Sequence, residues 1–241
     1  MRINQGDLHQ QLRAEAIATR ERIAVMVRLL DPSKINEHPE PAGWSVGEVL
    51  EHLCIADELY QGQLAALLQS SRRDAGAPSR EWSSSFIGGM IASSLLKPRP
   101  LKSPKVFRPG PTPRNGVVEE LLSREMSFVK EMDDAASFDW RALRIRSPAL
   151  PSWAPKMNLG DGFRIHIVHL TRHSWQIERL AGKLLSHKCA SWPPGDRRHL
   201  RTTTYSFLDQ RILPREISQL AARADADLGE DVRHVSAHRA R

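Results

Sequence analysis

Four long segments of the chain repeat apolar residues at spacings of three and four, and this pattern limits the fold more than any other feature. The segments span about residues 7–30, 45–70, 117–136 and 158–186. Residues at such spacings share one face of an α-helix, so each segment predicts an amphipathic helix with one buried side. We therefore expect an all-α protein built on a four-helix bundle, with a long crossover between the second and third helices.

The starts of these helices carry their own signals. Ser45 and Glu48 form an S-x-x-E pattern, in which the serine caps the helix and the glutamate reaches back to the backbone of the serine. This is the clearest local signal in the sequence. Asn115 is expected to cap the third helix, and Asn158 or Asp161 the fourth.

The crossover contains an apolar stretch and a basic one. Residues 86–96 predict a short helix packed over one end of the bundle. Residues 97–115, KPRPLKSPKVFRPGPTPRN, hold six Lys or Arg and no acid, which accounts for most of the net charge of +7. We interpret them as a solvated linker. Nucleic-acid binding there is a weaker alternative, because the segment lacks the interleaved aromatic residues of a single-strand-binding surface.

After the third helix, residues 138–157 predict an ordered loop.

Other features set the expected class and compartment. No stretch approaches the roughly 20 apolar residues of a membrane-spanning helix, and no secretory signal is evident at the start of the chain. Cys54 and Cys189 are too few for a disulfide framework, and Cys54 is expected to be a buried, inert thiol. A reducing cytoplasm fits these features.

We assign residues 1–187 to the bundle and 188–241 to a C-terminal extension, either partly helical around Pro214–Leu228 or disordered.

Histidines in two of the helices suggest a metal site. His166, His169 and His173 are spaced three and four residues apart and so share one stripe of the fourth helix. An i, i+4 histidine pair can hold one ion, although two buried, hydrogen-bonded histidines lining a core would show the same spacing. His52 is a third inward histidine, on the second helix. Three neutral imidazoles plus a water form the open tetrahedral arrangement of catalytic zinc sites.

Two short motifs resemble the signatures of the DinB-like superfamily. Residues 43–58, GWSVGEVLEHLCIADE, have a tryptophan, a capping serine and then a His-Leu pair two helical turns later. Residues 158–180, NLGDGFRIHIVHLTRHSWQIERL, have a helix start of small residues followed by H-x-x-x-H and a glutamine. Together with the order of helices, the resemblance covers about residues 1–187.

This resemblance implies an up-down-down-up four-helix bundle with a divalent metal held by His52, His169 and His173. Gln176 matches the glutamine of the second motif and is expected to hydrogen bond to a ligand. His166 has no counterpart in the motif. We interpret it as a neighbour of the site, with a role as a substrate-facing base left open.

The resemblance also implies a function. Similar proteins act as metal-dependent hydrolases, thiol S-transferases or thiol-dependent isomerases. We therefore expect a Zn²⁺ or Ni²⁺ enzyme acting on a small molecule, with a low-molecular-weight thiol as a second cofactor in the transferase case. No general base is evident, since Glu48 caps a helix and Glu51 and Asp57 are expected to face solvent or a neighbouring helix. The alternative is a non-catalytic bundle that binds a metal or a small ligand, with a link to stress. A homodimer is left open.

Overall fold

The computed structural model describes residues 2–41, 43–97 and 101–190, with side chains up to residue 185. A compact unit, Met1–Leu184, contains every element below except the end of the last helix. A second unit begins at Leu185, and only its first residues are described. The predicted helix around Pro214–Leu228 lies outside the described residues, as does most of the predicted extension.

Helices dominate the described residues. They are α1 (Gln5–Arg28), α2 (Val46–Ser70), α3 (Phe86–Leu95), α4 (Val117–Asp134) and α5 (Leu159–Ala190). Four short strands form two antiparallel pairs, β1 (Arg2–Asn4) with β2 (Glu81–Ser83), and β3 (Arg144–Ile145) with β4 (Met157–Asn158). The prediction of an all-α protein with four long helices and a short one near residue 90 is confirmed. No described helix is long and apolar enough to cross a membrane.

Contacts between α4 and its neighbours give three of the helix directions. His9, near the start of α1, hydrogen bonds to Asp133 at the end of α4, so these two helices are antiparallel. On the other side of α4, Arg114 and Arg124 pair in chain order with Glu51 and Glu58 of α2. Hence α2 and α4 run in the same direction.

The last helix completes the order. Arg22 of α1 pairs with Glu178, and Thr19 lies 3.4 Å from Thr171 between their hydroxyl oxygens, so α5 runs parallel to α1. With α2 and α4 opposed to both, the order is up-down-down-up, as the sequence resemblance implied. Parallel neighbours that follow each other in the chain need a long connection, which is the crossover between α2 and α4.

The predicted apolar stripes form the core. Buried residues on α1 and α2 include Leu8, Leu12, Ile23, Val46, Val49 and Leu53, and those on α4 and α5 include Leu121, Met132, Ile167 and Leu170. Cys54 is also fully buried, and burial raises the pKa of its thiol to about 12. The expectation of a buried thiol is therefore confirmed, and a raised pKa is what a thiol of low reactivity would have.

Local signals at the helix starts are partly confirmed. The Ser45 hydroxyl accepts a hydrogen bond from the amide of Glu48, and the Glu48 carboxylate accepts one from the amide of Ser45, completing the predicted capping box. The Asn158 side chain caps α5 by accepting from the amide of Asp161. The cap predicted at Asn115 is wrong. The helix is instead entered through Gly116, whose φ of 70° is a left-handed conformation that glycine adopts without strain.

Candidate metal centre

Three imidazoles from two helices meet at one point. The Nε2 atom of His169 lies 3.0 Å from Nε2 of His52 and 3.1 Å from Nε2 of His173. Ligands about 2.1 Å from a shared tetrahedral ion would be about 3.4 Å apart, close to these separations. The structure thus brings together the three residues chosen from the sequence. Their role as metal ligands remains a prediction.

The ring of His52 is fixed by a backbone group. Its Nδ1–H donates a 2.7 Å hydrogen bond to the carbonyl oxygen of Phe107. Because a carbonyl can only accept, the proton of the neutral ring lies on Nδ1 and the lone pair of Nε2 points toward His169. The indole of Trp44 packs against the same ring, with 5.1 Å between the ring centroids. These contacts set both the orientation and the tautomer of His52.

A side-chain amide fixes His173 in the same way. The Nδ1–H of His173 donates to Oε1 of Gln176 at 2.9 Å, which leaves its Nε2 free to bind an ion. The hydrogen bond expected at Gln176 is therefore present. Metal-binding histidines almost always donate their second ring nitrogen to such an acceptor.

Burial keeps all three rings neutral. Burial lowers the pKa of His169 well below its usual value, and the neighbouring His173 and His52 lower it further. Burial also lowers the pKa of His173, to about 3, and the neighbouring His52 contributes to this shift. Burial also lowers the pKa of His52, with the hydrogen bond to Phe107 acting in the opposite direction. Neutral imidazoles are the form that binds a cation, so the donor set suits a divalent metal.

The fourth predicted histidine belongs to a different cluster. His166 lies between two buried carboxylates, with Nδ1 3.3 Å from Asp57 and Nε2 3.1 Å from Glu125. Asp57 thus contacts a neighbouring helix, one of the two surroundings expected for it. Both ring nitrogens of His166 face carboxylates, and the ring also contributes to the wall of the cavity beside the three histidines.

The basic crossover segment is not simply a solvated linker. Phe107 is buried and supplies the carbonyl that holds His52. Arg114 forms a two-pronged ion pair with Glu51, which is 8% exposed, and also contacts Glu58 and Glu120. That interpretation is therefore wrong for this part of the segment, because one apolar ring and one arginine anchor it to α2. The same pairing places Glu51 against the crossover and not in solvent.

A large cavity opens beside the three histidines. Its volume is about 1510 Å³, and all three rings contribute to its wall. Aromatic side chains on the wall include Trp44, Tyr60 and Phe107, while Lys102, Arg172 and Arg179 add positive charge. Such a space admits a small molecule next to the imidazoles.

Two parts of the site escaped the sequence reasoning for different reasons. The carbonyl of Phe107 has no residue-type signature, so no motif could reveal it. Glu125 did leave a signal, because it lies at a helical spacing between Leu121 and Phe128, where a buried apolar residue is expected. A carboxylate in an apolar stripe indicates a buried partner, which here is His166.

Fold and geometry together define a four-helix bundle with a three-histidine group open to a cavity. The chain matches the family model of the DinB superfamily over residues 15–177, more than half of its length, and it belongs to that superfamily. A solved structure of YfiT from Bacillus subtilis, described as a probable metal-dependent hydrolase with an unusual four-helix bundle topology, aligns with a TM-score of 0.47 and 14% identity. That alignment covers 73% of this chain and 87% of YfiT. Comparison with curated proteins gives no match.

Proposed function

We propose that this protein is a metal-dependent enzyme that acts on a small molecule by hydrolysis or thiol transfer, with His52, His169 and His173 holding one divalent ion. The observation that carries the proposal is the convergence of three Nε2 atoms at the wall of the cavity. On two of the rings a hydrogen bond at Nδ1 directs the Nε2 lone pair inward. Neutral imidazoles suit Zn²⁺ or Ni²⁺.

The open side of the group supports catalysis over a purely structural role. Structural zinc sites use four protein ligands, whereas catalytic sites keep one position for water or substrate. Among the described residues, the group has three histidines and no fourth cysteine, histidine or carboxylate. When bound, the ion would act as a Lewis acid that lowers the pKa of a coordinated water or thiol toward about 7.

The wall of the cavity suggests what the protein contributes to the reaction. Glu40 is the one carboxylate among the described lining residues, and its hydrogen bonds and ion pairs with Lys183 and Arg179 lower its pKa, making it a poor base. Burial raises the pKa of Tyr60, so its hydroxyl stays protonated, and it donates a 3.1 Å hydrogen bond to the hydroxyl of Ser147, which also lines the cavity. Positive charge from Arg172 and Lys102 favours a substrate with an anionic group. A nucleophile from solvent or from a thiol therefore fits this cavity better than one from a side chain.

Metal content tests the first half of the proposal. Protein stripped with a chelator and then incubated with one equivalent of Zn²⁺ or Ni²⁺ should retain that ion at the three-histidine group, measured by elemental analysis after gel filtration. His169→Ala should lose this ion, because it removes the central ligand. His38→Ala, which replaces an exposed histidine outside the group, should keep it. Wild-type protein that retains no metal would contradict the proposal.

Activity tests the second half. Metal-loaded and chelated protein are assayed against ester and amide substrates, and against an electrophile with a low-molecular-weight thiol. Turnover that requires metal and disappears in His169→Ala is the expected result. Metal binding without any metal-dependent turnover would favour the alternative of a non-catalytic binding bundle.

A further inference from the structure

A second group of possible metal ligands lies in the bundle core, on three different helices. Asp57 of α2, Glu125 of α4 and His166 of α5 each offer an atom within 4.8 Å of the others. Asp57 and Glu125 are 5% and 1% exposed. The ring of His166 stacks on Phe128 at 3.6 Å between centroids, which fixes its plane. Asp57 and Glu125 are buried, His166 is partly buried, and none of the three belongs to the three-histidine group.

Two oxygens of this group have no partner. Asp57 uses Oδ1 and Glu125 uses Oε2 toward His166, while Asp57 Oδ2 and Glu125 Oε1 are buried without a hydrogen bond. A buried carboxylate oxygen that lacks a partner costs free energy, because it has lost its water without a replacement. Each of the two carboxylates therefore has an unfilled ligand position in the core.

The charge of the group depends on one proton. Burial raises the pKa of Asp57 to about 8, so a proton on Asp57 leaves the cluster near neutral, and loss of that proton would leave a net charge of −1 close to Glu131. Arg124 is the positive side chain acting on Asp57, but its guanidinium hydrogen bonds to Glu58 and Glu120. Burial raises the pKa of Asp57, with His166 opposing the shift. Without a cation, the cluster can reduce its negative charge only by holding a proton on a carboxyl.

We propose that Asp57, Glu125 and His166 form a second divalent-cation site, distinct from the three-histidine group. Two carboxylates and one imidazole form a harder donor set than three imidazoles, so the site suits a cation such as Mn²⁺. Binding through one ring nitrogen requires His166 to release one proton, and the other nitrogen keeps its N–H for a carboxylate. The inference does not depend on the proposed enzymatic function.

A titration with Mn²⁺ tests the inference on the full chain. Stripped protein is first loaded with one equivalent of Zn²⁺, and Mn²⁺ is then added while free Mn²⁺ is followed by electron paramagnetic resonance. About one Mn²⁺ per chain should bind without release of Zn²⁺. Wild-type protein that binds no Mn²⁺ up to millimolar concentration, or that releases one Zn²⁺ for each Mn²⁺ bound, would overturn the inference.

Variants locate the ion. Asp57→Asn and Glu125→Gln keep the shape of each side chain and remove its charge, and each should weaken Mn²⁺ binding at least tenfold. Glu119→Gln removes an exposed carboxylate from the same helix as Glu125 and should bind Mn²⁺ as the wild type does. His52→Ala, titrated without Zn²⁺, should also bind about one Mn²⁺ per chain, which separates this site from the three-histidine group. Equal Mn²⁺ binding in the Asp57, Glu125 and Glu119 variants would place the ion elsewhere and refute the assignment. If a core variant fails to fold, the wild-type titration still shows whether the protein binds a second cation.

Discussion

His52 and Phe107 are 55 positions apart in the chain, yet the imidazole of one donates a 2.7 Å hydrogen bond to the backbone carbonyl of the other. Phe107 lies in a short 3₁₀ turn, Lys105–Phe107, within the basic crossover segment. The crossover therefore connects two helices and also selects the tautomer of a candidate metal ligand. A long connection, required by the up-down-down-up order, brings a backbone acceptor to the site.

Gln176 selects the tautomer of His173 by accepting a hydrogen bond from its Nδ1–H. Because the acceptor is a side chain and not a backbone carbonyl, a substitution can remove it. Gln176→Ala should weaken Zn²⁺ binding about 10- to 100-fold, because His173 loses the acceptor that orients its ring. Competition with a chromophoric chelator measures the affinity. Gln11→Ala, at an exposed position of α1, should leave the affinity unchanged. An unchanged affinity in Gln176→Ala would show that packing alone orients His173.

Acid should destabilise the metal-free protein through the same histidines. The pKa of His173 is about 3 in the folded protein, mainly through burial, against 6.5 for an ordinary histidine. Between these values the unfolded chain binds the extra proton, so the free energy of unfolding falls as the pH falls from 6.5. One such group contributes a slope that approaches about 1.4 kcal/mol per pH unit near pH 5 and is half of that at pH 6.5.

Urea unfolding of chelated protein at several pH values between 5 and 6.5 measures this slope. His173→Gln should show a slope that is smaller than that of the wild type by up to about 1.4 kcal/mol per pH unit at the acidic end, because one titrating group is lost. His38→Gln, at an exposed position, should keep the wild-type slope. Parallel pH profiles for all three proteins would mean that His173 takes up its proton without unfolding.

The helices were predictable because they depend on periodicity, whereas the choice of His52, His169 and His173 also required the resemblance to the DinB-like motifs. Apolar residues at helical spacing identify the buried face, and His52, His169 and His173 lie on the buried faces of their helices. Features that depend on tertiary contact were not predictable. The pairing of Arg2–Asn4 with Glu81–Ser83 joins short segments far apart in the sequence, and neither has a pattern of its own.

The start of α4 shows why a local rule can fail. Asparagine is a favoured capping residue, yet Asn115 is exposed, and the chain enters the helix one residue later through a left-handed glycine. The choice between these two neighbours depends on the path of the crossover, which Arg114 fixes through its ion pair with Glu51. A capping preference worth about 1 kcal/mol is small enough for the tertiary contacts that set the path of the chain to override it.

The small residues at the start of α5 have a specific packing reason that mutation can test. Gly160 lies against Trp82, and a Cβ atom at residue 160 would overlap the indole ring. Trp82 is fully buried, and its indole N–H donates to the side chain of Asn158, which caps the helix. The ring therefore cannot move away without breaking the capping arrangement.

Gly160→Ala should thus lower the free energy of unfolding by about 1–3 kcal/mol, the usual cost of overpacking a core, despite the better helix propensity of alanine. Gly62→Ala is the matched control, since Gly62 lies within α2 and a Cβ there meets no atom within 4 Å. That change should stabilise the protein by up to about 1 kcal/mol. Chemical denaturation of the two variants beside the wild type gives both values. Equal stabilisation by the two alanines would show that Trp82 and Asn158 can shift to accommodate a Cβ atom at residue 160. The close approach of α5 to Trp82 would then not be required for stability.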